Sequence, residues 1–582
     1  MIILGVNAYH GDSSACLVID GKLVNAIEEE RIVRIKHWAG LPIESIKWCL
    51  SDANISIKDV DYIAISRDPR AHFYKKILRA ITKIPRISFI KNRVSNVNRF
   101  RDIKVNIVKA FNVEISEIKA EIIHVEHHRA HMGSSFFVSP FDEAACVTID
   151  GFGDFVSTMR GIGKDNHIKI FDWVEFPHSL GDFYTAMTQF LGFWNYGDEY
   201  KVMGLSAYGK PVYLDEMRKI IRFKLNGLFE FDTSYFLHDK GGVEMFWENG
   251  QPVFGKTFSD KLVKRFGKPR EKNEEITEHY QNIAASVQAI YEEAFFYVLN
   301  DTYKKTKLEN LALAGGCIQN SLVNGKIKKQ TPFKNIYIPS ASHDAGTAIG
   351  AAMVVWHTKC NQPRAFVMEH AYLGPQFTKK EIEGEILKNT LKEKGYLIEL
   401  INDESLLCQK AAKCIEEGKI IGWFQGRTEF GPRALGNRSI LVDPRRKEMK
   451  DILNERIKRR EWFRPFAPSI LEEKVSEWFE QSSPVPFMEK VYKIRDNKRQ
   501  LIPAVCHVDG TGRLQTVSSS TNSRYHNLIK QFEVITEVPI ILNTSFNDNE
   551  PIVNTPKDAI ECFLSTKMDV LVLRDFLITK GA

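Results

Sequence analysis

Short apolar runs punctuated by Gly, Asp and Pro open the chain. Ile2–Asn7, Ala15–Ile19 and Leu23–Ile27 read as three strands, joined by Tyr9–Ser14 and by the Asp20-Gly21 turn, and a helix is expected over Glu44–Asp52 after the loop KHWAGLP. The pattern recurs from Ala144: a strand over Ala144–Ile149, an Asp/Gly turn at Asp150–Asp154, a strand over Val156–Ile162, a turn at Lys164–Asn166 and a strand over Ile168–Val174. A hairpin that opens twice on an Asp/Gly-rich turn predicts two related lobes. The stretch GDEYKVMGLSAYGKP (197–211) is too rich in glycine for an element interior and is expected to be a loop beside a cleft. Gln281–Leu299 reads as a long amphipathic helix and Leu311–Ala314 as a strand. From about Asn361 the texture changes. NQPRAF and LGPQF read as linker and turn, a charged helix follows over Lys379–Lys394, and a second unit begins. The alternation of strands and helices makes both units α/β.

Length and charge bound the rest. The 582 residues suffice for several domain-sized cores, with 43% hydrophobic and 26% charged residues. The N-terminus has neither the basic start nor the apolar run of a signal peptide, and no stretch is apolar enough to span a membrane. Nine cysteines without a CxxC pair suit a reducing compartment, so a cytoplasmic location is expected. The net charge of +7 is unevenly spread: Arg67–Lys104 carries twelve Lys/Arg against two Asp, +10, which leaves −3 for the remainder. That segment interleaves apolar residues with its charges. It suits a polyanion, an anionic membrane surface or an acidic acceptor, or is simply a solvated helical insertion.

Candidate chemistry centres on HHRAHMGSSFFVSPFDEAACVTIDGFGD (127–154). His127 and His131 share one face of a helix, and the following strand delivers Asp150. Two imidazoles and a carboxylate are a plausible ligand set for a divalent transition metal. Equally, Asp-Gly turns hairpins and histidine clusters decorate surfaces. The zinc-protease pattern HExxH is excluded, since His128 stands where its glutamate would be. Two later stretches repeat a strand–glycine–helix layout that seats phosphates at a helix start: GGCIQNSLVNGKI (315–327) and IYIPSASHDAGTAIGAA (336–352). The second adds Asp344 as a candidate fourth ligand. A nucleotide site is expected along Gly151, Gly153, Gly315, Gly316 and Asn320, with Lys201 from the 197–211 stretch. In the second unit, residues 420–445, 452–469, 507–518 and 539–553 concentrate Arg, Lys, Asn, Ser and Thr beside Gly and Pro. That composition suits a small dianion such as a phosphate ester, or a salt-bridged surface.

Eleven stretches, in order, resemble the O-carbamoyltransferase family that includes nodulation, cephamycin and aminoglycoside-antibiotic enzymes: NAYHGDSSA, EEER…KHWAG, HHRAH, DGFGD, KVMGLSAYGKP, GGCIQN, HDAGTAIGAA, EFGPRALGNRSIL, REWFRPFAP, GTGRLQTV and LNTSFN. The resemblance implies an actin-like metallo-domain (ASKHA type, with duplicated RNase H-like lobes) over 1–362 and a YrdC-like domain over 363–582. It implies use of carbamoyl phosphate and ATP to form a carbamoyl-adenylate, and transfer of the carbamoyl group to a hydroxyl of a glycan or other small-molecule acceptor. Carried over by position, His127, His131, Asp150 and Asp344 match the metal ligands, for which Fe(II) is expected. Arg433, Lys458, Arg464, Arg513 and Ser545 fall on the carbamoyl-phosphate site, and His10 matches a histidine near the acceptor. Here Gly11 separates His10 from Asp12, and either residue is a candidate to take the hydroxyl proton. A homodimer is expected from the family. A tRNA-modifying threonylcarbamoyl-type transferase and an actin-like ATP-dependent regulator are the alternatives; the first would need nucleic acid as partner, and the second leaves the C-terminal Arg/Lys/Ser set without a use.

Overall fold

In a computed structural model, the described residues are 1–82, 103–239, 243, 245–248 and 250–580. Of the basic segment 67–104, residues 83–102 lie outside them. The chain divides into two units, Met1–Met368 and Glu369–Ala582. Residues 363–368, expected in the second unit, are tied to the first: Trp356 Nε1 donates to the Pro363 carbonyl at 3.1 Å, and the Met368 amide donates to the Val138 carbonyl at 2.9 Å.

The first unit holds two five-stranded sheets. The first is built from β1 (Ile2–Asn7), β2 (Ser14–Ile19), β3 (Lys22–Glu28), β4 (Tyr62–Ile65) and β5 (Glu121–His124), in the order β3-β2-β1-β4-β5. The second comprises β6 (Glu143–Gly153), β7 (Val156–Lys164), β8 (His167–Glu175), β9 (Asn310–Ala314) and β10 (Asn335–Tyr337), in the order β10-β9-β6-β7-β8. In each sheet three consecutive strands form an antiparallel meander, and two further strands add parallel to the first of them. Identical order and direction in both sheets make these duplicated lobes of the actin-like type. The central strands β1, β4 and β9 are deeply buried: Leu4, Val6, Ile63, Ile65, Leu311 and Leu313 are all fully buried, each contributing about 1.5–3 kcal/mol.

Two helices lie between the sheets. Thr347–Val354 (TAIGAAMV) packs on β1, β2 and β4 and against His127–Phe136. Small residues make this possible. A Cβ at Gly133 would stand 2.6 Å from the Gly350 carbonyl oxygen, and one at Gly350 would strike the Ala130 carbonyl. The histidine helix is thereby pinned backbone to backbone. The stretch 197–211 is not a loop: Glu199–Leu205 is a helix continued by a 3-10 turn at Ser206–Tyr208. Burial of Val202, Met203 and Leu205 against the long helix Glu278–Thr306 outweighs the helix-weakening effect of Gly204. The helix expected over Lys379–Lys394 ends at Lys388.

The second unit is a nine-stranded mixed sheet. Its strands are β11 (Tyr396–Leu400), β12 (Ile421–Phe424), β13 (Arg438–Val442), β14 (Ala467–Leu471), β15 (Lys490–Lys493), β16 (Thr511–Val517), β17 (Ile540–Ser545), β18 (Val570–Leu573) and β19 (Phe576–Lys580). They are ordered β11-β19-β18-β12-β13-β17-β14-β16-β15. Helices Glu404–Glu416 and Ser523–Thr536 pair with each other, burying Leu407, Ala411, Leu528 and Phe532 in its core.

Candidate metal centre and anion site

His127, His131, Asp150 and Asp344 converge in the first unit. Their ligand atoms all lie within 4.8 Å of one another, and all four residues are buried. The His127 and His131 Nε2 atoms are 3.1 Å apart and stand 3.1 and 3.3 Å from Asp150 Oδ2, and 3.5 and 3.3 Å from Asp344 Oδ1. Each ligand is positioned by backbone. The Gly316 amide donates to Asp150 Oδ1 at 2.8 Å, which leaves Oδ2 to face the imidazoles. Asp154, in the left-handed region at φ 49°, accepts from the His127 amide at 3.0 Å and from the Asp68 amide at 2.7 Å. Glu126 caps the helix by accepting from the Arg129 amide at 2.8 Å; burial pushes its carboxyl up to about 7. Asp344 is the first residue of the 3-10 turn Asp344–Gly346, which leads into Thr347–Val354.

Burial by itself would raise the two carboxyls and depress the imidazoles. The mutual pairing overrides it: Asp150 and Asp344 sit well below the carboxylate range, while His127 and His131 are raised. Two buried carboxylates facing two ring nitrogens that crowd each other make a nest for a cation. Asp344 Oδ1 is buried and faces only the two imidazole nitrogens, at 3.5 and 3.3 Å and without a well-formed hydrogen bond, so a cation between them would complete it. The donor set of two nitrogens and two oxygens suits a divalent transition ion, Fe(II) among them. His128 stays out of it. Its Nε2 donates to the Val156 carbonyl at 2.9 Å, its Nδ1 meets the Thr148 hydroxyl at 2.8 Å, and burial drives it down to about 3.

Around this centre lie the two candidate proton acceptors, His10 and Asp12, with neighbours that the sequence pattern left without a role. His10 Nδ1 is paired with Asp344 Oδ2, and the His10 ring lies 5.4 Å from that of His127. Asp12 Oδ1 accepts from His37 Nδ1 at 2.7 Å, and its Oδ2 is 3.9 Å from His343 Nε2. Tyr196 covers the first loop, stacked on Phe254 at 5.6 Å and edge-on to His37 at 5.2 Å. His37, His343 and Tyr196 reach Asp12 from three distant parts of the chain, so local patterning carries no trace of them. Tyr9, Asp12 and His37 all have positive φ (56°, 57° and 54°), a concentration of backbone strain at one spot.

The glycines proposed for a nucleotide split by role. Gly315 and Gly316 wrap Asp150, and a Cβ at Gly153 would fall on the His127 ring, so these three hold the metal nest. Gly151 has open space apart from Asp182 Oδ1, 3.6 Å from where its Cβ would be. Asn320 caps the helix Ser321–Gln330 and donates to Gln288 Oε1 at 2.9 Å. Lys201 pairs with Asp198 at 3.0 Å on the helix Glu199–Leu205, whose Met203 sulfur meets the Ser321 hydroxyl at 4.0 Å.

The second unit gathers the basic set. Arg513, on β16, is half-buried; desolvation and the like charges of Arg433, Arg460 and Arg464 hold its guanidinium well below its ordinary range. Its Nε is buried without a hydrogen-bond partner. Lys458 is buried and bound by Ser545 at the end of β17: its Nζ meets the Ser545 hydroxyl at 3.3 Å and donates to Asn547 Oδ1 at 2.6 Å. Glu429 shapes the Arg433 loop, accepting from the Leu435 and Asn437 amides, both at 2.8 Å. Arg438 in the same motif is structural. It lies 3.6 Å above the Phe424 ring and donates to backbone carbonyls. Four arginines gathered in one place, with Glu461 beside Arg464 at 3.6 Å as the carboxylate among them, make a strongly basic cluster suited to a dianion.

Comparison with known proteins follows this division. A family model described as carbamoyltransferase N-terminus matches residues 2–353, and one described as carbamoyltransferase C-terminus matches residues 412–580. An uncharacterised protein of Synechocystis is 40% identical, covering 100% of this chain and 97% of that protein. Nodulation protein NolNO of Sinorhizobium fredii is 36% identical, covering 99% of this chain and 80% of its own. Among solved structures, HypF of T. kodakarensis aligns over 61% of this chain and 46% of its own length, with a TM-score of 0.30 and 11% identity. Matched in both halves, and along nearly its whole length by these relatives, the chain belongs to the carbamoyltransferase family and is a transferase enzyme.

Proposed function

We propose that the protein takes a carbamoyl group from carbamoyl phosphate, activates it with ATP as a carbamoyl-adenylate, and transfers it to a hydroxyl of a sugar-containing or other small-molecule acceptor. The observation that carries the reading is Arg513: a half-buried side chain whose Nε is buried and without a hydrogen-bond partner, set among the like charges of Arg433, Arg460 and Arg464. Such a group is stable only when an anion completes it, and a forked donor suits a phosphate ester. Lys458 and Ser545 add a cation and a hydroxyl in the same unit. Together they neutralise phosphate charge as carbamate is released and adenylated.

Transfer is assigned to the first unit. His127, His131, Asp150 and Asp344 would hold Fe(II) or a similar ion. Bound there, it would supply Lewis acidity toward a phosphate or carbonyl oxygen. His10, with Nδ1 committed to Asp344, presents Nε2 to the acceptor hydroxyl and takes its proton as the oxygen attacks the carbamoyl carbon of the adenylate, breaking its bond to the phosphate oxygen and releasing AMP. Asp12 is kept anionic by His37 and orients the same hydroxyl. Incubation with carbamoyl phosphate, ATP and a panel of hydroxylated glycans, followed by mass spectrometry, should find an acceptor heavier by one carbamoyl group. Carbamoyl phosphate consumed in step with ATP, with every product a free carbamate, would reject the transferase half of the proposal.

A further inference from the structure

Three histidines and one tyrosine meet at the loop 8–13, and the histidines are committed. His10 is paired with Asp344 and His37 with Asp12 Oδ1, while His343 Nε2 faces Asp12 Oδ2 at 3.9 Å. Tyr196 is not committed. Its ring is fixed by the stack on Phe254 and the edge contact with His37, yet among the described residues its hydroxyl has no hydrogen-bond partner. The surrounding backbone is shaped to bring that hydroxyl in. A Cβ at residue 11 would stand 2.3 Å from Tyr196 Oη, so Gly11 leaves room for it between His10 and Asp12. Gly197, at φ 80°, allows a matching close approach, since a Cβ there would stand 2.8 Å from His37 Nε2. Tyr196 Oη is thereby held over the residue that separates the two candidate proton acceptors.

We propose, building on the carbamoyl-transfer reading above, that Tyr196 is a catalytic residue of the transfer step, its hydroxyl donating a hydrogen bond to the carbamoyl oxygen as negative charge gathers there. In that step the acceptor oxygen bonds to the carbamoyl carbon, the carbonyl electron pair moves onto its oxygen, and His10 receives the hydroxyl proton. When the pair returns, the bond to the phosphate oxygen breaks and AMP leaves with its electrons. Tyr196 keeps its proton throughout. The step calls for such a donor, because His10 and Asp12 act on the hydroxyl as acceptors and neither stabilises charge on the carbamoyl oxygen. A phenol suits the role. Desolvation and the carboxylates of Asp12, Asp344 and Asp150 hold it well above its ordinary range, so it stays protonated. A donor left free by the protein is worth most where charge appears only in the transition state.

Tyr196→Phe retains the ring and its packing and removes only the hydroxyl. With the glycan carbamoylated in the acceptor panel as substrate, the full Fe(II)-loaded chain carrying this change should show kcat for transfer lowered about 100-fold. The KM for that glycan should be little changed, the pattern of a contact made only in the transition state. Carbamoyl-phosphate-dependent exchange of pyrophosphate into ATP, bound metal and the unfolding midpoint should all match the wild type. A wild-type kcat in the variant overturns the proposal and leaves the transfer reading intact, and so does a loss confined to KM. A parallel loss of exchange, metal or stability also overturns it, since the hydroxyl would then be structural. If the wild type carbamoylates nothing in the panel, the transfer reading fails and the proposal fails with it.

Discussion

A methyl group at Gly153 would land on the imidazole of His127, which the Asp154 carboxylate already holds through its amide. Gly153→Ala should therefore displace the ring and lower bound metal severalfold by elemental analysis, while the fold survives; full metal content in that variant would disconnect the glycine from the centre. The Asp12–His37 pair makes a pH prediction. Burial works against a charged imidazole, but the Asp12 carboxylate dominates and lifts His37 to about 9. Its value in the unfolded chain is about 6.5, so the pair's stabilisation is complete below about 6.5 and drains away as pH climbs through about 9. The unfolding midpoint of wild type minus His37→Gln, followed from neutral to alkaline pH, should shrink across that window; a constant difference would mean the pair is not charged. Residues brought together by short-range spacing were legible in the chain: His127 and His131 one helical turn apart, and Asp150 at a strand end. His37, His343 and Tyr196 were not, because only the crossing of loops at Tyr9–Ser13 and His37–Gly40 gives them a common neighbour.

Elements follow the same logic. The meanders β1–β3 and β6–β8 could be read from the chain to within a residue or a few at each end, since short apolar runs and Asp/Gly turns are local properties. Glu199–Leu205 escapes local patterning because Gly197, Gly204 and Gly209 make the stretch look like a loop until the long helix beneath it supplies the burial. The contact between His127–Phe136 and Thr347–Val354 depends on Gly350, where a Cβ would meet the Ala130 carbonyl. An alanine there gains helix propensity of at most about 1 kcal/mol, yet forces apart two backbones at an overpacking cost of about 1–3 kcal/mol. Gly350→Ala should lower the denaturation midpoint and loosen metal retention together. A stable variant with weakened metal binding, or the reverse, would separate the packing from the centre.

At the scale of the whole molecule each of the two units has its own charged cluster: a buried nest of carboxylates and imidazoles in Met1–Met368 and a half-buried crowd of arginines in Glu369–Ala582. The division into two α/β units was visible as a change of texture near Asn361. What patterning could not supply was the fate of the arginines, since Arg438 and Arg513 look alike in sequence while Arg438 donates to backbone carbonyls and Arg513 stands among the like charges of Arg433, Arg460 and Arg464. If the second unit forms the carbamoyl-adenylate and the first only transfers it, the two steps must fail separately. The direct measurement is carbamoyl-phosphate-dependent exchange of labelled pyrophosphate into ATP, on wild type, His131→Ala and Arg513→Lys. Exchange is expected in the wild type only when carbamoyl phosphate is present, to be nearly unchanged in His131→Ala, and to fall about tenfold or more in Arg513→Lys, where a point charge replaces a fork. Exchange lost in His131→Ala but kept in Arg513→Lys would place activation in the first unit and contradict the account.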